Sequence, residues 1–258
     1  MPPALQSDAP EPCLLHKAAS LLLALGIIAG VFTFAFSTVG YHWNWKGVWV
    51  YRVLFIRGWL VTVLLSAIAL VLSCVIGAIL ALLRRTRFLP LRYFARIYVE
   101  TIRGTPLLVQ LIIFFYVVAT AFDIENRYVV GVLVLSVFSG AYISEVIRAG
   151  IESVGKSQLD SARAIGLSTA QTYRYVIFPQ AIRQILPPLA GQFASLIKDS
   201  SLLSIVGISE FTLNTQNVNS YASSPFESYI PLAIGYLLLT LPISLWTQSL
   251  EQRTRFET

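Results

Sequence analysis

Six apolar runs, each close to the length a bilayer demands, constrain this chain more than any other feature. A spanning helix needs about 20 mostly apolar residues. The runs are 18–40, 58–83, 105–122, 128–147, 185–208 and 229–250, and Lys198 and Asp199 are the only charges well inside one. Polar residues gather in short islands between them. Backbone groups in lipid must be satisfied within the segment, so such runs fold as helices. The expected fold class is therefore an all-α integral membrane protein with small loops and no separate soluble domain.

Composition agrees. Of 258 residues, 56% are hydrophobic and 12% charged, with mean hydropathy +0.70. Soluble domains carry roughly 25% charged residues. The net charge of +6 could suggest nucleic acid, but its distribution reads as topology. With the N-terminus in the cytoplasm, the inner side receives Lys17, six arginines between 84 and 103, five cations between 148 and 183, Arg253 and Arg255. The outer side receives only Lys46, Arg52, Arg57 and Arg127. Lys and Arg concentrate on the cytoplasmic side of membrane proteins.

Smaller features add little chemistry. Cys13 and Cys74 have neither metal nor redox spacing, and no disulfide between them is expected. His16 and His42 flank the first run as interfacial residues. Ala35-Phe36-Ser37 loosely resembles a signal cleavage site, yet the run exceeds the 7–15 residues of a signal core, so a retained span is expected. Gly26 and Gly30 have close-packing spacing that is common by chance in Gly/Ala-rich helices. Tyr41, Trp43, Trp45, Trp49 and Tyr51 read as an outer interfacial segment, part helical.

The longest polar segment, 148–184, reads as two short amphipathic helices. Ser157 to Asp160 has capping-box spacing, Gly166 suits a left-handed cap, and Ser168 to Gln171 forms a second capping box. Tyr173, Val176 and Ile177 would share one side before Pro179. Their apolar stripes need cover, from the membrane domain itself or from a partner. Gly150 to Ser157 matches the P-loop pattern letter for letter. A P-loop, however, follows a buried strand, and here a membrane span precedes it. A DNA-binding helix-turn-helix is disfavoured too, because residues 169–178 offer bases little beyond Arg174 and Gln171.

This loop resembles the EAA motif of binding-protein-dependent ABC importer permeases, E-A-A-x3-G-x9-I-x-L-P. Here it reads Asp160-Ser161-Ala162, then Gly166 after three residues, then Val176-Ile177-Phe178-Pro179 after nine. The departures are Asp for Glu, Ser for Ala, Val for Ile and Phe for Leu. Gly155 replaces the family's usual Pro and so creates the P-loop match. Arg103 to Gln110, Ala141 to Glu145, Lys198 to Leu202 and Leu203 to Thr212 are similar to the polar amino acid uptake branch, the histidine/glutamine-type permeases. The resemblance covers roughly residues 55–255.

The resemblance implies a type I ABC importer transmembrane domain, with a five-helix core and one extra N-terminal transmembrane helix. The expected division is a cytoplasmic tail 1–17, the extra helix and outer segment 18–57, the permease domain 58–250 and a cytoplasmic tail 251–258. It further implies a second permease subunit, as homodimer or heterodimer, an extracytoplasmic amino-acid-binding protein, and separate ATPase subunits that bind ATP and Mg. No cofactor, catalytic residue or metal is expected on this chain. Asp160, Ser161, Ala162, Gly166, Val176, Phe178 and Pro179 would form the ATPase-coupling loop. ATP would draw the ATPases together and rock the spans outward, and hydrolysis would reverse this.

Intramembrane charges are costly and usually face a cavity. Gln192, Lys198, Asp199, Ser200 and Ser201 are therefore expected along the substrate path, with Pro187-Pro188 weakening the first turn of their span. Helix–helix polar contacts or an internal ion pair would be the plain structural alternative. An ATPase-independent transporter or channel would explain the spans but not the loop. A membrane-embedded enzyme finds no supporting cluster of catalytic or metal-binding residues.

Overall fold

The computed structural model describes residues 14–254. Cys13 and the distal parts of both expected tails, including Arg255, lie outside the described residues. The chain divides into two compact units, 1–43 and 44–258. The described part of the first is the single helix α1 (Leu14–Val39), about 39 Å long at 1.5 Å per residue. A Cβ added at Gly26 or Gly30 would meet nothing within 4 Å, so that glycine spacing does no packing here. Phe36 and Tyr41 both lie against the Trp43 ring, with centroids 5.5 and 5.3 Å away.

The second unit opens with α2 (Trp45–Trp49), capped by the Asn44 side chain, which places a short helix in the expected aromatic segment. Then α3 (Arg52–Leu83) runs 32 residues without interruption. Its buried face carries Gly58, Thr62, Leu65, Ala69, Ser73, Gly77 and Leu80, three or four residues apart. Small residues at that period let a second helix approach closely. The second helix is α7 (Arg127–Glu152), capped by Asn126.

Between them the chain is broken, not straight. α4 (Leu89–Gly104) and the stretch α5 (Leu107–Ile113) to α6 (Ala119–Ala121) meet at 111°, joined through Thr105 and Pro106. A π-type turn, Phe114–Val118, connects α5 to α6. The expected span 105–122 is thus only the second limb of a bent pair. Gln110 holds the bend: its Nε2 donates to the Ile102 carbonyl at 2.7 Å and to Thr105 Oγ1 at 2.7 Å. The conspicuous Arg-Gly-Thr-Pro-Leu-Leu-Val-Gln run is therefore a bend with its own staple.

After α7 come α8 (Lys156–Ala164) and α9 (Thr169–Thr172), then a π-type turn at Tyr173–Ile177 that leads directly into α10 (Phe178–Asp199). α10 ends in a 3-10 segment, Ser200–Val206, closed by Gly207 at φ 76°. α11 (Phe211–Ala222) and α12 (Pro225–Thr254) complete the unit. No strand occurs among the described residues.

Four helices are individually long and apolar enough to cross a membrane, at 18–38, 52–83, 127–152 and 225–252, and the bent pair supplies a fifth. The expected sixth, 185–208, is not one helix. α10 begins seven residues earlier, at Phe178, and gives way to the 3-10 segment at Ser200. Pro187 and Pro188 consequently lie mid-helix and not in its first turn. They leave the carbonyls of Arg183 and Gln184 without their usual donors.

Candidate functional site: the interhelical loop and a polar cavity

The loop combines an anchored side with a bare one. α8 is capped by Gly155, with no side-chain bond, so the capping box expected at Ser157 does not form. The one at Ser168 forms in full: Ser168 Oγ accepts from Gln171 N–H, and Gln171 Oε1 accepts from Ser168 N–H at 2.9 Å. α8 stops in a Schellman motif. Leu167 N–H donates to Ala162 O and Gly166 N–H to Arg163 O, both at 3.0 Å. Gly166 sits at φ 77° with no neighbour within 4 Å of an added Cβ, so the backbone angle alone demands glycine.

Val154, Ile177 and Ala181 form a small core with Ile151, Leu159 and Ile185, and Ala162 is buried as well. Val176 is half-buried. Ile165 (76% exposed), Tyr175 and Phe178 remain open, together with Asp160, Ser161 and Pro179. Among the described residues the Asp160 side chain makes only a surface pair with Arg163, at 3.3 Å. The second expected helix does not end at Pro179, because proline is tolerated in the first turn of α10. The P-loop match is also resolved: Gly150 lies within α7, where Ile185 packs on it, and no strand precedes it.

Beneath the loop, a cavity of about 390 Å³ opens between α4, α7 and α10. Arg103, Tyr142, Glu145, Gln184, Pro188 and Gln192 line it. Glu145 is the hub of its charges: Arg84 lies 2.7 Å away, Arg103 3.8 Å, and Arg148 pairs with it from the next turn of α7. Arg103 also lies over the Tyr142 ring, 5.4 Å from its centroid. Sequence spacing exposes only the Glu145–Arg148 pair. Arg84 and Arg103 arrive from α3 and α4, and nothing local announces them.

Of the five expected path residues, Gln192 alone lines this cavity, with Nε2 donating to Ser139 Oγ at 3.0 Å. Lys198 is exposed and Asp199 half-buried, and no ion pair joins them among the described residues. Ser200 Oγ donates to the Ile197 carbonyl at 2.7 Å, while the Ser201 carbonyl accepts from Ser204 Oγ. Helical geometry still relates the two ends of α10. At 100° per residue, Gln184, Pro188, Gln192 and Asp199 fall within an arc of about 80°.

A further polar site lies at the far end of the unit. Glu210 is fully buried, caps α11 through Leu213 N–H at 2.8 Å, and accepts from Thr62 Oγ1 and the Tyr236 hydroxyl. Burial pushes its carboxyl above the usual range, and these donors pull it back. No group of three or more metal-ligating side chains occurs among the described residues.

A stapled bend, a short-helix loop and a polar cavity among helices long and apolar enough to cross a bilayer describe a multi-pass membrane protein. Residues 73–256 match the family of binding-protein-dependent transport system inner membrane components, and the chain belongs to that family. A probable glutamine ABC transporter permease protein of Bacillus subtilis is 38% identical over 200 residues, covering 78% of this chain and 93% of that protein. The glutamine transport system permease protein of Escherichia coli K12 is 33% identical over 216 residues, covering 83% and 99%. A chain in the crystal structure of an amino acid ABC transporter with histidines superposes with a TM-score of 0.77 at 35% identity, covering 83% of this chain and all of that one. The described fold is accordingly a type I ABC importer transmembrane domain with an added N-terminal helix.

Proposed function

We propose that this chain is one half of the pore of an importer for a polar amino acid, with its N-terminus in the cytoplasm. Loop 148–184 faces the cytoplasm in this reading and docks on a separate ATPase, which binds the ATP and Mg. An extracytoplasmic binding protein delivers the substrate, and a second permease subunit completes the pore. The observation that carries the coupling role is the bare side of the loop. Ile165, Tyr175 and Phe178 are apolar and exposed at the arginine-rich end, on a loop whose shape is held by a Schellman motif and a capping box. An exposed apolar patch with polar surroundings suits a protein partner. The amino-acid substrate rests on the similarity to glutamine permeases.

Substrate passes along the face of α10 from Asp199 to Gln192 and Gln184, beside Arg103 and Glu145. A zwitterion needs a donor for its carboxylate and an acceptor for its ammonium, and this face offers both. Reconstitution with the ATPase and binding protein in liposomes tests the reading. Uptake of labelled glutamine or histidine should require ATP and all partners. Uptake by the chain without an ATPase would make it a secondary transporter or channel.

A further inference from the structure

A second charged hollow lies on the other side of Glu145, outside the substrate path. It has a volume of about 310 Å³ and sits where α3 ends and α4 begins. Arg84, Arg85, Arg92, Arg96 and Arg148 line it, with Glu152 as the acidic member. Three of these cations are spoken for. Arg84 and Arg148 hold Glu145, Arg148 also holds Glu152, and Arg96 pairs with Glu100 at 2.8 Å. Among the described residues Arg85 has only the neutral Tyr173, through its hydroxyl at 3.0 Å and its ring. Arg92 makes no ion pair among the described residues and is exposed. The hollow therefore keeps positive charge that the described residues do not neutralise.

Its surroundings define what can supply the missing anion. Leu82, in the last turn of α3, is 69% exposed, and Leu89 and Tyr93 on the hollow's own wall are each 56% exposed. Phe94 and Ile97 continue this bare apolar surface along α4. An arginine-lined hollow at the end of a spanning helix, flanked by apolar and aromatic side chains, matches a molecule with an anionic head and hydrocarbon tails. Guanidinium groups bind phosphate through paired donors, which lysines would not do as well.

We propose that this hollow binds the phosphate headgroup of an anionic glycerophospholipid, held chiefly by Arg85 and Arg92, with its acyl chains along Leu82, Leu89 and Tyr93. Because Arg85 also touches Tyr173, the occupied site abuts the turn that joins α9 to α10.

The purified full chain in phosphatidylcholine bilayers, doped with spin-labelled phosphatidylglycerol or spin-labelled phosphatidylcholine, tests this. The wild type should immobilise phosphatidylglycerol in preference to phosphatidylcholine, and added salt should weaken that preference. Arg85→Gln with Arg92→Gln should reduce the preference about thirty-fold, from roughly fivefold per arginine. Lys46→Gln with Arg52→Gln, at the opposite end, should leave it intact. The wild-type comparison stands even if a variant misfolds. Equal immobilisation of the two lipids by the wild type overturns the proposal. So does full displacement of phosphatidylglycerol by inorganic phosphate, which would mark a site for a free anion. Loss of a co-purifying protein from the double variant with lipid preference unchanged would reassign the arginines to protein docking.

Discussion

The Tyr236 hydroxyl donates to the buried carboxylate of Glu210 at 3.1 Å, tying the middle of α12 to the first turn of α11. Thr62 of α3 completes the knot: its hydroxyl donates to Glu210 and accepts from Phe211 N–H. Three helices distant in sequence thus converge on one side chain. A helix cap whose acceptor also collects two hydroxyls from other helices fixes both the start of α11 and its position.

Glu210→Ala should therefore destabilise the chain by about 2–4 kcal/mol, through loss of the cap and of acceptors for two hydroxyls in a buried site. Glu210→Gln keeps an acceptor and should lose about half as much. Thermal unfolding in detergent measures both, and equal stability of wild type and alanine variant would falsify the structural role.

Gly77 and Gly140 are each filled by the other helix's isoleucine. A Cβ at Gly77 would meet Ile143 Cγ2 at 2.6 Å, and one at Gly140 would meet Ile76 Cγ2 at 2.7 Å. Gly77→Ala should cost about 1–3 kcal/mol by overpacking. Gly30→Ala, with open space around it, should stay within about 0.5 kcal/mol. Similar losses at the two sites would mean the α3–α7 contact is looser than described.

Gly166 is held at positive φ by the Schellman motif, not by crowding. Gly166→Ala should cost roughly 1–2 kcal/mol of local stability. Gly166→Asn, which accepts that angle more readily, should cost less. If the loop couples to an ATPase, Gly166→Pro should abolish transport-coupled ATP hydrolysis in proteoliposomes while membrane insertion persists. Normal coupled hydrolysis would remove the coupling role.

Asp199 lies two turns from Gln192 on the same face of α10. Asp199→Asn should lower uptake severalfold with assembly intact, as should Gln192→Leu. Unchanged uptake in Asp199→Asn would confine the path to the Gln192 end. Ser201→Ala serves as a comparison, because its side chain makes no hydrogen bond among the described residues.

How legible the chain was depends on the range of the interaction. Gly166 and the Ser168–Gln171 box were readable because a cap is decided by residues three or four apart. Ser157 misled because the helix already starts at Lys156, so its side chain sits inside the first turn. Helix 185–208 was misplaced for a related reason. Hydropathy marks where lipid begins, not where hydrogen bonding begins, and α10 is already wound at Phe178 in the polar loop.

The apolar runs alone therefore determined that the chain winds into membrane helices, since an unpaired backbone in lipid has no other partner. Short polar spacings in the loop, Gly166 and Ser168 to Gln171, determined its caps. Only the tertiary structure decided which glycines receive isoleucines, that a 111° bend joins the third run to α4, and that Arg84 and Arg103 surround Glu145. The interhelical contacts among these join residues 42 to 66 positions apart, from Arg103 with Glu145 to Gly77 with Ile143. Hydropathy and capping carry no memory of such distances, because contact between helices is set by shape and charge across a packed interface.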